Sequence, residues 1–388
     1  MRIIGFLNSY CDGISGGDVR FIEVLKRFGG FNKVVVTSEL GKKICEKNRL
    51  DAEYLITTDE EHFKNVLFTY FKRLVKALSL KVNLNEGEIL YSSSDFLPDI
   101  LPAFVWKLRN KNIGWVALLH LLAPNPFYGY EQYYLKQKKV RLPAISAIFY
   151  KISQLLSIRL MKWKADKILT PNSEIKDYLI KKGIDKDRIS LVANGINYRE
   201  IQKIIPLNKD RYDALFVGRF HPQKGIFDLI KIWELVCKQK KDVKLALIGS
   251  KTEEFEDKVK DEIKNRNLEK NIYLMGFLEE AEKFKVIKSS VIFLCPSFYE
   301  SWGIVIAEAM ASGLPVVAYD LPIYQDIYED KIFRVPIGDV NQFADTVTRL
   351  LTEEELRINL GLNGKKFILK YDWDRIAERE LQIFGEGH

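Results

Sequence analysis

Two carboxylates flank the start of a predicted helix in one short apolar part of the sequence. Glu300 follows the run 290–296, whose β-branched and apolar residues predict a buried strand. Gly303 then opens a run of good helix formers, so Glu308 is expected inside the helix. The run 315–320 predicts a second buried strand. This order of strand, loop, helix and strand is typical of a βαβ unit, in which the loop before the helix can bind a ligand.

The start of this helix has the features of an anion site. Trp302, Gly303 and Ile304 lie where free N–H groups point outward, and glycine lets an anion approach the backbone. Glu308, about one turn further in, can accept two hydrogen bonds from a vicinal diol such as a ribose. Glu300 is expected on the far side of the anion. The stretch therefore predicts a site for an extended ligand made of a sugar, a diphosphate and a ribose.

A second possible anion site follows the strand predicted at 214–218. Arg219 and Lys224 are five residues apart across a turn that contains Gly225. Arginine offers a planar fork of donors and lysine a point charge, and both suit a diphosphate. Gly218, Arg219 and Lys224 are therefore candidate phosphate-binding residues.

The first half of the chain offers weaker candidates. Gly16 and Gly17 lie between the first predicted strand and a helix, where backbone N–H groups could bind an anion, although a plain tight turn is equally common. His120 ends the strand predicted at 113–119, a position suited to ligand contact, and a structural histidine is the alternative.

These motifs resemble those of glycosyltransferase family 4. The shared features are two glutamates separated by seven residues, the run Glu-Ala-Met-Ala-Ser-Gly before Pro315, the pattern Gly-Arg followed by Lys-Gly, and a Gly-Gly-x-x-Arg loop. Trp302 stands where that family usually has phenylalanine. The resemblance covers nearly the whole chain and is strongest in 214–316.

The resemblance implies an α/β protein of the GT-B fold, with two Rossmann-like doubly wound domains facing a central cleft. It also implies transfer of a sugar from a nucleotide-sugar donor with retention at the anomeric carbon. His120, Arg219, Lys224 and Glu300 are then the expected catalytic residues. The expected donor-binding residues are Gly16, Gly17, Gly218, Arg219, Lys224, Phe277, Glu300, Trp302, Gly303, Ile304 and Glu308.

Length and composition favour two globular domains in a chain of 388 residues. We place the acceptor-side domain at 1–200 and the nucleotide-sugar domain at 201–370, with a polar linker over 198–212. The last helix, 371–388, is expected to return to the first domain. The four cysteines show no paired spacing and no signal peptide is apparent, which favours a reducing cytoplasm.

No metal or cofactor is predicted. The two Asp-x-Asp matches, Asp185 with Asp187 and Asp372 with Asp374, lie in a turn and near a helix cap rather than beside the phosphate residues. We expect Arg219, Lys224 and the helix start near Gly303 to neutralise the leaving diphosphate instead.

The net charge of +8 is uneven. Residues 1–200 contain 32 Lys and Arg against 21 Asp and Glu, while 201–388 contain 28 against 31. Two runs, 62–85 and 132–165, lack acidic residues and interleave basic with aromatic residues. Such runs suit an anionic membrane surface, so the protein is expected in the cytoplasm, with peripheral binding to the inner face of the membrane as one interpretation and solvated helix faces as the other. No nucleic-acid recognition motif accompanies the charge.

Three hypotheses remain open from the sequence. The first is a retaining transferase whose acceptor is a glycan or a lipid-linked molecule at the membrane. The second is a non-catalytic subunit that binds nucleotide sugars or glycans on the same fold. The third is a transferase that acts on a soluble acceptor.

Overall fold

The computed structural model describes residues 1–8, 15–59, 66–129, 142–207, 211–249 and 253–385, and these form two compact units. The first unit contains the described residues up to 194 together with 373–385. The second contains the described residues from 195 to 372.

The first unit is built on a parallel sheet of seven strands in the order β3-β2-β1-β4-β5-β6-β7. The strands are β1 (Arg2–Leu7), β2 (Asn32–Thr37), β3 (Glu53–Ile56), β4 (Ile89–Ser92), β5 (Gly114–Leu118), β6 (Lys167–Thr170) and β7 (Ile189–Leu191). The helices of this unit are α1 (Gly16–Arg27), α2 (Glu39–Lys47), α3 (Val66–Ser79), α4 (Leu97–Arg109), α5 (Ile145–Lys164), α6 (Ser173–Lys181) and, at the carboxyl end of the chain, a helix over Trp373–Gly385. Strands β4 and β5 are buried along their whole length, as expected for the centre of a parallel sheet covered on both faces.

The second unit is built on a parallel sheet of six strands in the order β10-β9-β8-β11-β12-β13. The strands are β8 (Tyr212–Val217), β9 (Leu245–Ile248), β10 (Ile272–Gly276), β11 (Ser290–Cys295), β12 (Val316–Tyr319) and β13 (Phe333–Val335). The helices of this unit are α7 (Tyr198–Lys203), α8 (Ile226–Gln239), α9 (Glu253–Asn265), α10 (Glu280–Lys288), α11 (Ile304–Ala311), α12 (Pro322–Tyr328), α13 (Val340–Thr352) and α14 (Glu354–Ile368). The last helix of the chain, Trp373–Gly385, belongs to the first unit and is called α15.

Helix α15 packs on α1 in the first unit. Arg20 and Glu380 form a fully buried ion pair, and Tyr91 also donates a hydrogen bond to Glu380. The ring of Phe384 lies 5.3 Å from that of Phe28, centroid to centroid. Because a buried charge without its partner is strongly destabilising, this pair fixes the end of the chain to the first helix.

The βαβ unit predicted around Glu300 is confirmed as β11, α11 and β12, and α11 begins directly after Gly303. The prediction of a linker over 198–212 is wrong, because its first residues form α7 and its last residue begins β8. The polar character of this segment reflects a short helix of which only Ile201 is buried.

Candidate functional site

In the parallel sheet of the second unit, the order in which the chain adds strands reverses between the two central strands, β8 and β11. From β8 the chain adds β9 and β10 on one side, and from β11 it adds β12 and β13 on the other. Ligands of open parallel sheets bind outside the carboxyl ends of the strands at this point. The loop after β8 carries Arg219 and Lys224, and the loop after β11 carries Glu300. The fold therefore brings these predicted residues to one edge.

Lys224 and Glu300 form an ion pair in which Nζ donates to Oε1 at 2.6 Å, and both side chains are largely buried. Gln223 connects the same two loops. Its side chain donates to the carbonyl of Tyr299 at 2.8 Å, and its own carbonyl accepts from the N–H of Phe298 at 2.8 Å. The ion pair is thus held by hydrogen bonds between the loops that carry its two members.

Two glycines let neighbouring backbones approach at this edge. Gly225 has a φ of +67°, and a Cβ there would lie 1.9 Å from the carbonyl oxygen of Pro296. A Cβ on Gly249 would lie 1.8 Å from the carbonyl oxygen of Gly218. Since no side chain fits either position, the turn that carries Lys224 can lie against the loop after β11 only with glycine there.

The loop after β8 combines two cations with a histidine that has no predicted role. Arg219 is exposed, and Nδ1 of His221 accepts a hydrogen bond from the N–H of Gln223 at 3.2 Å. Burial lowers the pKa of His221, and the charges of Arg219 and Lys224 lower it further. The loop therefore offers positive charge and a hydrogen-bonding imidazole, which suits a bound diphosphate.

The start of α11 is shaped by Gly303, which has a φ of +85°. The hydroxyl of Tyr328 donates to the carbonyls of Gly303 at 2.8 Å and Trp302 at 3.1 Å. The indole of Trp302 is buried, 5.2 Å from the ring of Tyr371. Any contact of Trp302 with a donor would therefore come from its main chain. Ile304 begins the helix, where N–H groups have no acceptor within the helix.

Glu308 is paired with a lysine that the sequence motifs do not reveal. Lys283 on α10 donates to both carboxylate oxygens of Glu308, at 2.8 and 2.9 Å. Its ammonium also lies 4.5 Å from the ring centroid of Phe284. The two partners are 25 residues apart, on helices separated in the chain by β11, so only the tertiary structure brings them together. Hydrophobic periodicity could have placed Lys283 on a helix but not beside Glu308.

Phe277 follows β10 directly and its side chain is 68% exposed. The preceding residue, Gly276, has a φ of +68°, which turns the chain at the end of the strand. A large exposed ring beside a strand end is available to stack on a planar group such as a nucleobase.

The predicted residues of the first unit form a separate group. His120 lies two residues beyond β5, and its Nε2 donates to the carbonyl of Ser93 at 2.7 Å. A Cβ on Gly17 would lie 3.0 Å from this nitrogen, so the glycine leaves room for the ring. Burial lowers the pKa of His120 to about 4, and the charge of Arg20 contributes. The imidazole is therefore neutral at neutral pH, with its proton on Nε2.

Gly16 and Gly17 lie in the first turn of α1 rather than in the loop before it. Ser15 caps this helix: its hydroxyl accepts from the N–H of Asp18 at 3.2 Å, and the Asp18 carboxylate accepts from the N–H of Ser15 at 2.8 Å. Both glycines are thus part of a capped helix start, where N–H groups point outward. Residues 9–14 of the loop lie outside the described residues.

Asp99 is a further titratable group, linked to His120 through Ser93, that the sequence analysis missed. Its carboxyl accepts from the N–H of Asn8 at 2.6 Å and from the hydroxyls of Ser93 and Ser94. Burial raises the pKa of Asp99 to about 7. Ser93 joins the two groups, because its carbonyl accepts from His120 and its hydroxyl donates to Asp99.

No group of three metal-ligating side chains occurs among the residues that the structure describes. Asp185 caps a short turn by accepting from the N–H of Asp187 at 3.0 Å. Asp374 pairs with Arg27 at 2.6 Å. One carboxylate of each Asp-x-Asp match, Asp185 in the first and Asp374 in the second, thus has a structural partner.

Within the described ranges, no helix combines the length and the apolar character that a membrane crossing requires.

Comparison with known families places the second-unit site in a recognised segment. Residues 197–367 match the family model described as glycosyl transferases group 1. The segment contains β8, β11 and α11, and with them both lysine–glutamate pairs.

The chain is also similar to a phosphatidyl-myo-inositol mannosyltransferase of Mycobacterium leprae, with 28% identity over 211 residues. This match covers 53% of the chain and 52% of the relative. The chain thus spans about half the length of that relative.

Solved structures resemble the chain over its whole length. Anabaena HepE in complex with UDP-glucose has a TM-score of 0.75 at 14% identity and covers 100% of both chains. Sucrose-phosphate synthase from Thermosynechococcus elongatus has a TM-score of 0.75 at 17% identity and covers 99% of this chain and 98% of its own. Together with the two parallel sheets, these likenesses confirm the predicted fold class, GT-B with two Rossmann-like α/β domains.

Proposed function

We propose that this chain is a glycosyltransferase that moves a sugar from a nucleotide-sugar donor to an acceptor with retention at the anomeric carbon. The observation that carries the proposal is the Lys224–Glu300 pair, between the loops that follow β8 and β11, where the strand order of the second unit reverses. A largely buried lysine and carboxylate, with an exposed arginine in the same loop as the lysine, suit a ligand that has both a diphosphate and a sugar.

The donor groups are assigned by chemistry. Arg219, Lys224 and the N–H groups at Gly303 and Ile304 bind the diphosphate, because each supplies positive charge or a free donor. Glu308 accepts hydrogen bonds from the ribose diol. Glu300 contacts the donor sugar, and the exposed ring of Phe277 lies beside the base.

The reaction breaks the bond between the anomeric carbon and the diphosphate oxygen, which leaves with the electron pair. The acceptor hydroxyl forms the new bond on the same face, and its proton passes to the departing diphosphate. The cations and the α11 start stabilise the charge that develops on this oxygen. We therefore propose that the reaction requires no metal ion.

We assign acceptor binding to the first unit, with His120 as the expected contact of the transferred sugar. Its neutral imidazole can hydrogen-bond to sugar hydroxyls without a charge. We propose a glycan or lipid-linked acceptor at the cytosolic face of a membrane, which accounts for the basic and aromatic runs of this half of the chain.

A panel of UDP-, GDP- and ADP-sugars, each assayed with and without EDTA, tests the proposal. We expect slow hydrolysis of one donor without an acceptor, unaffected by EDTA, and release of the free sugar first as the donor's own anomer in NMR spectra. Absence of turnover with every donor and with lipid or glycan acceptors would leave a binding subunit as the better description. Loss of activity in EDTA would contradict the metal-free mechanism, and an inverted product would contradict retention.

A further inference from the structure

Helix α5 exposes its apolar side and buries a largely polar one. Residues spaced three and four apart lie on one face of a helix, and five of the six such residues on the outer face are apolar. They are Ile145, Ile148, Ile152, Leu156, Arg159 and Trp163. The exposed fractions of the Ile145, Ile152 and Trp163 side chains are 79%, 61% and 65%. Three of the five buried residues of α5 are Ser153, Gln154 and Ser157.

The buried polar residues fix this orientation. Ser153 is hydrogen-bonded to the hydroxyl of Tyr70 at 2.8 Å. Gln154 donates to Asp95 at 2.9 Å and to the carbonyl of Leu121 at 2.8 Å, and it also accepts from a backbone N–H. Rotating α5 to bury its isoleucines would break these bonds and leave buried polar groups unpaired, at about 1–3 kcal/mol each. The exposed apolar face is therefore the stable arrangement of this helix.

Helix α3 extends the same surface. The rings of Tyr70 and Phe71 lie 5.1 and 5.6 Å from that of Phe149 on α5, so the two helices meet at these rings. Phe71 itself is half exposed, and the side chain of Val75 is 63% exposed. We call this surface, formed by the outer residues of α3 and α5, the α3–α5 face.

The charges of the α3–α5 face have one sign. Neither helix contains an aspartate or glutamate. Their cations are Lys72, Arg73, Lys76, Lys151, Arg159, Lys162 and Lys164, all but the buried Arg73 at least partly accessible to solvent. A second copy of the chain docked on this face would bring two such sets together, which repulsion disfavours. An anionic bilayer surface instead attracts each cation while it accepts the apolar side chains.

The carboxyl end of α5 adds a place for an anionic group. Trp163 and Lys164 line an open hollow together with Lys107, Lys111, Ala165, Asp166 and Arg188. The carboxylate of Asp166 pairs with Lys107 at 2.9 Å, so the cations of the hollow outnumber its carboxylate. Tryptophan is enriched at membrane–water interfaces because its ring is apolar and its N–H is polar. From Ile145 to Trp163 the helix spans about 27 Å. Because its other side is buried against the first unit, its outer face can lie along a membrane surface rather than cross it.

We propose that the α3–α5 face docks the protein onto an anionic lipid bilayer, with α5 parallel to the surface. This deepens the proposed function, because the membrane location of the acceptor rests on it. The docking itself does not depend on the sugar chemistry, so the two proposals can fail separately.

Co-sedimentation of the full chain with vesicles tests the docking, with phosphatidylcholine alone compared with phosphatidylcholine containing phosphatidylglycerol. We expect binding to the anionic vesicles only, weakened by salt. The double variant Ile152→Ser with Trp163→Ser removes two exposed apolar anchors, and Arg159→Glu with Lys162→Glu reverses two charges. Each should weaken binding at least about tenfold. The matched control is Ile358→Ser with Leu362→Ser, which changes two exposed apolar residues on α14 and should bind like the wild type.

Equal binding by the control and the two face variants would overturn the proposal, as would no binding of the wild type to anionic vesicles. Self-association in ultracentrifugation that disappears in the Ile152→Ser, Trp163→Ser variant would show that a second copy covers the face, and would also overturn it. Donor hydrolysis by the wild type and the face variants, measured without vesicles, tells a failure of membrane docking from a failure of the proposed transferase activity. Unchanged hydrolysis with lost vesicle binding supports docking, whereas vesicle binding without turnover of any donor contradicts only the proposed function.

Discussion

The two groups of site residues, one in each unit, differ in how their titratable side chains are held. In the second unit each carboxylate has a lysine partner: Glu300 has Lys224 and Glu308 has Lys283. Burying a carboxylate costs several kcal/mol unless a partner offsets it. The second unit therefore holds charged groups in a partly buried place.

In the first unit, the imidazole of His120 is neutral at neutral pH and the carboxyl of Asp99 is partly protonated. Asp99 accepts hydrogen bonds from hydroxyls and a backbone N–H, and burial raises its pKa to about 7. Burial lowers the pKa of His120 to about 4. The difference suits the ligands proposed for each unit, since a diphosphate brings charge and sugar hydroxyls do not.

Loss of the Lys224 ammonium should have the largest effect on activity. Lys224→Ala removes a cation from the proposed diphosphate site and leaves Glu300 unpaired. We expect kcat/KM to fall about 10²–10³-fold in steady-state assays of the preferred donor. The control is Lys231→Ala on α8, whose lysine pairs with Asp228 at 3.6 Å near the surface. A similar fall of kcat/KM in both variants would show that Lys224 has no special role in binding the diphosphate.

Glu308→Ala tests the ribose contact. Two hydrogen bonds to a charged acceptor are lost, so the donor should bind about 10–100-fold more weakly, with a smaller change in kcat. Glu308→Gln keeps one acceptor oxygen and should recover part of the affinity. If both variants retain the wild-type KM for the donor, Glu308 does not contact it.

The protonation of Asp99 in the folded protein can be tested through stability. Below about pH 4 Asp99 is protonated in both the folded and unfolded chain, but between about pH 4 and 7 only the unfolded chain loses the proton. Stability therefore falls as pH rises through this window, by at most about 1.4 kcal/mol per pH unit. Asp99→Asn removes this loss.

The Tm of Asp99→Asn should thus rise relative to that of the wild type as pH rises from about 4.5 toward 7. His120 acts in the opposite direction, since its lowered pKa costs stability as pH falls from about 6.5 to about 4. The control is Asp51→Asn, which changes an exposed carboxylate of the same unit. Parallel Tm profiles for wild type and Asp99→Asn would show that Asp99 is ionised when folded.

Lys283→Met should have the smallest effect. It removes the side chain that positions Glu308 but keeps the carboxylate itself. We expect the donor KM to rise about 2–10-fold with kcat unchanged. Glu282→Gln changes an exposed neighbour on the same helix and serves as the control. A fall in kcat without a change in KM would contradict a positioning role.

The elements around the second-unit site could be predicted because each is encoded locally. A buried strand, a glycine and a run of helix formers specify β11 and α11, and a glycine at a positive φ marks the turn before α8. The two lysine–glutamate pairs could not be read in this way. Each joins loops or helices that are distant in sequence, 76 residues apart for Lys224 and Glu300.

Two further features required the tertiary structure. Trp302 stands in a loop that resembles a ligand site, yet packing against Tyr371 buries its indole. The basic and aromatic composition of α5 was visible in the sequence, but which side faces outward depends on the hydrogen bonds of Ser153 and Gln154. The first ten residues of the basic run at 132–165 lie outside the described residues.

The most direct test of the central claim is calorimetric titration of UDP, GDP and ADP into the wild type and Glu308→Ala, in EDTA. We predict that one nucleotide binds the wild type and that the variant binds it at least about tenfold more weakly. Equal affinity of both proteins for that nucleotide, or no binding of any of the three, would contradict a nucleotide-sugar site at the junction of β8 and β11.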